Sequence, residues 1–162
     1  METIAVYWES RIKTYGFQRI PGVALIELSW PIDSIKSLGE ILTSHDIQGF
    51  QAPFIAAQDT DRELSFVFCL PERAGMDFHA CVEQTGIPTY HRYIYPVGII
   101  FFHGPHFGDR YGIAENTFSA ISKAGIQLIA SGCASSSVYL ILAQDDLDRA
   151  EQILTKTFDV AK

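Results

Sequence analysis

The chain repeats itself, and that repeat constrains its fold more than any other feature. In the first half a strand-like run, Val23 to Trp30, turns into an amphipathic helix and then reaches Asp46-Ile47-Gln48. In the second half Val97 to Phe102 leads through a glycine-containing loop and a helix to Gly125-Ile126-Gln127. Each copy then continues through two strand-like runs into a second helix. A block that occurs twice in one chain covers its apolar face with its neighbour, so duplication points to a shared interface and to binding.

Periodicity assigns the elements. Pro31 opens the first helix, where its missing N–H is no loss, and Ile32, Ile35, Leu38, Ile41 and Leu42 form one apolar stripe. Ile47 to Ala57 and Leu64 to Leu70 read as strands around an Asp59-Thr60-Asp61 turn. Pro71 to Gly86 is a second helix carrying Phe78 and Val82, and Thr89 to Tyr95 closes the unit. In the second half Asp109 to Ala124 is a helix with Ile113, Thr117, Phe118 and Ile121 on one side, stopped by Gly125. Ile126 to Ala130 and Ser137 to Leu142 are strands, and Asp145-Asp146 caps a last helix with Leu147, Ala150, Ile153 and Leu154.

Each half therefore reads β-α-β-β-α-β. The fold class is α+β: two ferredoxin-like units, residues 11–94 and 95–162, each an antiparallel sheet with its helices on one face. The second unit runs out of chain before its final strand, while the first is preceded by surplus strand. An N-terminal strand around Thr3 to Trp8 is expected to complete the second sheet and cover its edge. Pro21-Gly22 reads as a tight turn between two strands.

Charge and motifs exclude several functions. Lys plus Arg is 12 and Asp plus Glu is 19, a net charge of -7, which disfavours a nucleic-acid partner. RNA-binding sheets share the same element order, but Phe66, Phe68, Phe101 and Phe102 sit in continuous apolar runs and read as core. No stretch approaches a membrane-spanning length and the N-terminus has no leader pattern, so no membrane is expected. Cys69, Cys81 and Cys133 have no paired spacing and read as reduced thiols of a cytoplasmic protein.

Catalytic signals are missing. Ser135-Ser136-Ser137 has no His–Asp partnership, and no Walker loop or dinucleotide fingerprint is present. Arg11 and Arg19 are followed by no phosphate loop, which weighs against an acylphosphatase-type reaction. His103 and His106 are three apart, while His79, Cys81 and His91 are scattered, so the sequence gathers no zinc ligand set. No cofactor and no metal are expected.

Several stretches resemble a known family. Gly108-Asp109-Arg110-Tyr111-Gly112-Ile113-Ala114, followed by Phe118 to Ile126, resembles the first strand–helix unit of ACT domains. Ser135 to Leu142 with Asp145 to Ala150, and the opening Ile20 to Leu28, resemble the tandem regulatory ACT pair of aspartokinases. The likeness covers nearly the whole chain. It departs at Tyr111, where proline is usual, and at Asp33, where the second unit has Gly112. Nothing here resembles the family's kinase domain, so its kinase activity is not carried over. The resemblance implies a regulatory, non-enzymatic protein that holds an amino acid or similar small metabolite and pairs as a homodimer. A ligand-free oligomerisation module is the alternative reading, followed by the remnant regulatory part of an amino-acid kinase.

The resemblance locates the ligand at the first strand–helix loop and the start of the second strand. The chemistry agrees, because a helix N-terminus offers free N–H groups to a carboxylate and glycine lets a ligand approach the backbone. In the second unit the loop residues are Phe107, Gly108, Asp109, Arg110, Tyr111, Gly112 and Ile113. Gln127, Leu128, Ile129 and Ser131 are expected to face them. In the first unit Ser29, Trp30, Ile32 and Asp33 form the equivalent loop, with Gln48 facing. Asp33 repels a carboxylate and suits an ammonium group.

Overall fold

The computed structural model describes residues 11–44, 51–60, 62–108, 110–134 and 136–160. The strand expected at Thr3 to Trp8 lies outside them, as do Gln48 and Asp109. In chain order the elements are β1 (Lys13–Thr14), β2 (Phe17–Pro31), α1 (Ile35–Thr43), β3 (Phe54–Thr60), β4 (Glu63–Pro71), α2 (Glu72–Thr85) and β5 (Tyr90–His103). They continue as α3 (Ile113–Lys123), β6 (Leu128–Ala134), β7 (Ser137–Ala143), α4 (Leu147–Thr157) and β8 (Asp159–Val160). Among the described residues no helix is long and apolar enough to cross a membrane.

Among the described residues six strands form one sheet in the order β3-β4-β2-β5-β7-β6, and every neighbouring pair is antiparallel. The two expected sheets are joined because β2 and β5, at 15 and 14 residues, each serve both halves. Val23 to Pro31 and Tyr90 to Ile94 combine with β3 and β4. Phe17 to Ile20 and Val97 to His103 combine with β7 and β6. The β-α-β-β-α-β order is present twice, and the outer strand of the second block is Phe17 to Ile20, which precedes the first block in the chain.

Pro21-Gly22 does not reverse the chain. Pairing with β5 resumes beyond it after register shifts between Ile20 and Val23 and between Val23 and Leu25. Apolar residues on both sides continue the ladder, so the extra residues bend the strand instead of turning it. The Gly22 N–H leaves the ladder and donates to Gln144 Oε1 at 2.6 Å.

The apolar stripes explain the layers. Ala24, Ile26, Leu28, Trp30, Phe68 and Leu70 pack under Leu38 of α1 and Phe78 and Val82 of α2. Ile100, Phe102, Val138, Leu140 and Leu142 pack under Ile113 and Ile121 of α3 and Leu147, Ala150 and Leu154 of α4. The opposite face is buried too: Val23, Leu25, Phe54 and Cys69 meet Val97, Ile99 and Ile141. The sheet thus bends at the bulge until the helix-free faces of its halves close on each other. Strands covered on both sides must be apolar throughout, and each large side chain so buried contributes about 1.5–3 kcal/mol.

Helix ends follow local chemistry. Gly125 at φ 68 ends α3, with its N–H on the Ser122 carbonyl and that of Ile126 on Ile121, the paired bonds of a Schellman stop. Beside the main sheet, β1 and β8 form a short parallel pair, Lys13 opposite Asp159 and Thr14 opposite Val160.

Candidate functional site

The loop after β5 is built around one anchor. Gly104 leaves room for Phe107, whose ring is 2.5 Å from where a Cβ at 104 would stand. Phe107 folds back into the core, edge-on to Phe102 at 5.8 Å between ring centres. The Arg110 N–H then donates to the His106 carbonyl at 2.9 Å. Gly112 adopts φ 86, a left-handed backbone suited to glycine, and α3 begins. Its carbonyl accepts from the Asn116 N–H at 2.9 Å and from Asn116 Nδ2 at 2.8 Å. The first-turn amides of α3 have no partner inside the helix, as at any helix start.

A cleft of about 260 Å³ opens beside this loop. Phe107, Arg110, Tyr111, Gly112 and Ile113 form one wall, and Cys133, Ser136 and Ser137 of the β6–β7 hairpin form the other. Tyr111 is 95% exposed at its mouth. None of the described lining residues is acidic, and Arg110 brings a positive charge. Gly108 is exposed in the same loop.

The residues expected to face the loop do not do so within the unit. His103 pairs with Ser137, so the loop after β5 lies at the hairpin end of β6 and β7. Leu128 pairs with Leu142, toward the other end of the strands. Gln127 and Ser131 are exposed. Leu128 packs against the helix-side core, and Ile129 against the core between the halves. Sequence reading missed Cys133, Ser136 and Ser137 as cleft residues; the triple serine signalled only a turn.

The first copy of the loop is hydrogen-bonded along its backbone, with Ile32 and Asp33 at the surface. Trp30 is fully buried and its Nε1–H donates to the Ser34 carbonyl at 2.8 Å, which makes it a core residue. Ser29 is half-buried, 3.3 Å from Ser65 between hydroxyl oxygens, and its carbonyl accepts the Thr89 N–H at 3.1 Å. The Ile32 N–H donates to the Arg62 carbonyl at 3.1 Å, so the tip of the β3–β4 hairpin closes on the loop. Asp33 is exposed in the single 3-10 turn Ile32–Ser34.

A cleft of about 390 Å³ runs between β3 and β6, lined by Phe54, Ala56, Gly132, Cys133 and Tyr139. A hollow at the bulge, about 580 Å³, has Arg19 in its wall. That guanidinium is already paired with Asp148, and with Glu151 at 3.2 Å.

Compared by sequence, the chain matches no protein-family model and no curated protein. Compared by structure, it superposes on the regulatory subunit of aspartate kinase from Thermus thermophilus. The TM-score is 0.74 over 90% of this chain and 99% of that one, at 11% identity. The chain has the fold of an aspartokinase regulatory domain. Aspartate kinase from Synechocystis matches with a TM-score of 0.79 over 94% of this chain and 28% of that one, at 16% identity. E. coli aspartokinase III in complex with lysine and aspartate matches with a TM-score of 0.57 over 94% of this chain and 35% of that one, at 11% identity. The two ferredoxin-like blocks joined through β2 and β5 therefore share the fold of these regulatory domains.

Proposed function

We propose that this chain is a non-catalytic regulatory module that binds an amino acid between the β5–α3 loop and the β6–β7 hairpin. One observation carries the reading. Of two equivalent loops, the first has its Ile32 amide occupied by the Arg62 carbonyl, while the second borders a cleft beside Gly112 and Arg110. The α3 amides and the Arg110 guanidinium suit a carboxylate. The hydroxyls of Ser136 and Ser137 suit an ammonium group, and Phe107 and Ile113 supply an apolar floor. A volume of about 260 Å³ is below the range of about 300–1,000 Å³ for drug-sized ligands. The lysine and aspartate held by the E. coli neighbour support an amino acid as the ligand class.

In this reading the division at residues 94 and 95 separates a structural unit from a sensing one. Two copies pair as a symmetric dimer in the cytoplasm through sheet edges or helices. Ligand binding biases a partner by about 1–3 kcal/mol, the usual coupling in regulation. The test is a thermal-shift screen of the common amino acids followed by calorimetry. One chemical class raises the melting temperature, and Arg110→Ala abolishes the rise without unfolding the protein. Indifference to all of them removes the sensor reading and favours an oligomerisation module that has lost its ligand.

A further inference from the structure

Two scattered histidines are brought together far from the cleft. His79 and Glu83 are one turn apart on α2 and therefore neighbours on its surface. His91 stands opposite Leu28 in the β2–β5 ladder, and Leu28 belongs to the core beneath α2, so His91 is on the face that α2 covers. His91 Nε2 lies 3.2 Å from Glu83 Oε1, and His79 Nε2 lies 3.7 Å from the same oxygen. The three groups offer ligand atoms that all lie within 4.8 Å of one another.

The geometry points to a site for one divalent transition-metal ion of the zinc class, held by His79, Glu83 and His91. Two imidazole nitrogens and a carboxylate oxygen are a borderline donor set suited to such ions, and three protein ligands leave a further position for water or an outside donor. An ion in tetrahedral coordination with bonds of about 2.0–2.1 Å separates its ligand atoms by roughly 3.3–3.4 Å. The two His–Glu separations lie on either side of that figure and no two of the three ligand atoms are more than 4.8 Å apart, so side-chain rotation can bring the donors onto one ion. The site is also reachable, with side chains 24%, 55% and 34% exposed for His79, Glu83 and His91.

The first histidine is held in orientation. Its ring stacks on Tyr93 at 5.0 Å and 29°. Its Nε2 is the nitrogen that faces Glu83, while among the described residues the buried Nδ1 has no hydrogen-bond partner. No cation intrudes from the next position on β5, because Arg92 is held by Glu27, whose neighbours Ile26 and Leu28 point to the α2 side. A bound ion would fasten the last turns of α2 to the start of β5.

The test is a titration of the chelator-treated full chain with Co²⁺, read by visible absorption, and with Zn²⁺ in competition with a chromophoric chelator. The expected result is one ion per chain, a raised melting temperature with Zn²⁺, and affinity reduced ~10-fold or more in His79→Ala, Glu83→Gln and His91→Ala. His103→Ala and His106→Ala serve as controls and bind as the parent does. Circular dichroism verifies that each variant is folded, and His91→Gln replaces His91→Ala if that variant is not. Absence of saturable binding by either ion overturns the proposal, and so does affinity unchanged in the His79 and His91 variants.

Discussion

Phe54 on one outer strand touches Gly132 on the other, across the gap where the six-stranded sheet closes on itself. A Cβ at position 132 would stand 2.7 Å from the Phe54 ring. Phe54→Ala is expected to cost about 3–5 kcal/mol, as for a buried aromatic, and Gly132→Ala about 1–3 kcal/mol through overpacking. In the Phe54→Ala background the Gly132→Ala cost falls toward zero, since the clash is gone. Urea denaturation of the four proteins completes the cycle, and additive costs would show that the two edges do not meet.

Gly98 makes a similar demand beneath α4. A Cβ there would meet three Leu147 side-chain atoms at 2.5 to 2.8 Å. Gly98→Ala is expected to destabilise the fold by about 1–3 kcal/mol with an unchanged denaturant slope. Leu147→Ala combined with it recovers part of the packing conflict, which chemical denaturation measures directly.

Cys69 is fully buried in the core between the halves, and burial pushes its thiol up to about 12 from 9.0. Native protein should therefore react with a thiol reagent at exposed Cys133 and more slowly at Cys81, with Cys69 reacting only on unfolding. The same shift sets a pH dependence. Above pH 9 the unfolded chain releases this proton while the folded chain keeps it, so stability falls with rising pH, by about 1.4 kcal/mol per unit. Below pH 9 the thiol is neutral in both states and contributes no slope. The difference between wild type and Cys69→Ala in urea melts from pH 8 upward isolates this contribution, and equal slopes would refute it.

Glu27 and Arg92 face each other directly in the β2–β5 ladder and form two bonds of 2.8 Å. That carboxylate raises the Arg92 pKa above its usual value, chiefly through the hydrogen bonds. The guanidinium is nearly half exposed, so Glu27→Gln should cost no more than about 1 kcal/mol, shrinking as salt is added. Stability measured at low and high ionic strength decides this.

The parts of the fold that depend on neighbours in sequence were legible. Phe78 and Val82, then Ile113 and Ile121, recur at helical spacing and do form the buried stripes of α2 and α3, while of the stripe expected in the first helix Leu38 is buried, Ile41 and Leu42 are partly so, and Ile32 and Ile35 are exposed. Gly125 was readable as a helix stop because its left-handed geometry is a local requirement. What depends on register was not legible. Pro21-Gly22 has turn chemistry in isolation, and only the resumption of pairing with β5 makes it a bulge. The loop from Phe107 to Ile113 carries its own glycine signal, but its true opposite wall, Ser136 and Ser137, follows from His103 pairing with Ser137. His79 and His91 meet because α2 lies over the face of β5, and no spacing encodes that.

The two long strands have a consequence for how such a chain can be inherited. The half that begins at Val97 borrows its outermost strand, Phe17 to Ile20, from residues that lead straight into the other half. Gene exchange at the midpoint would strip the second half of that strand and leave it as an unpaired extension on the first. Shuffling of this protein has to move both repeats as one piece, however independent they look when read letter by letter.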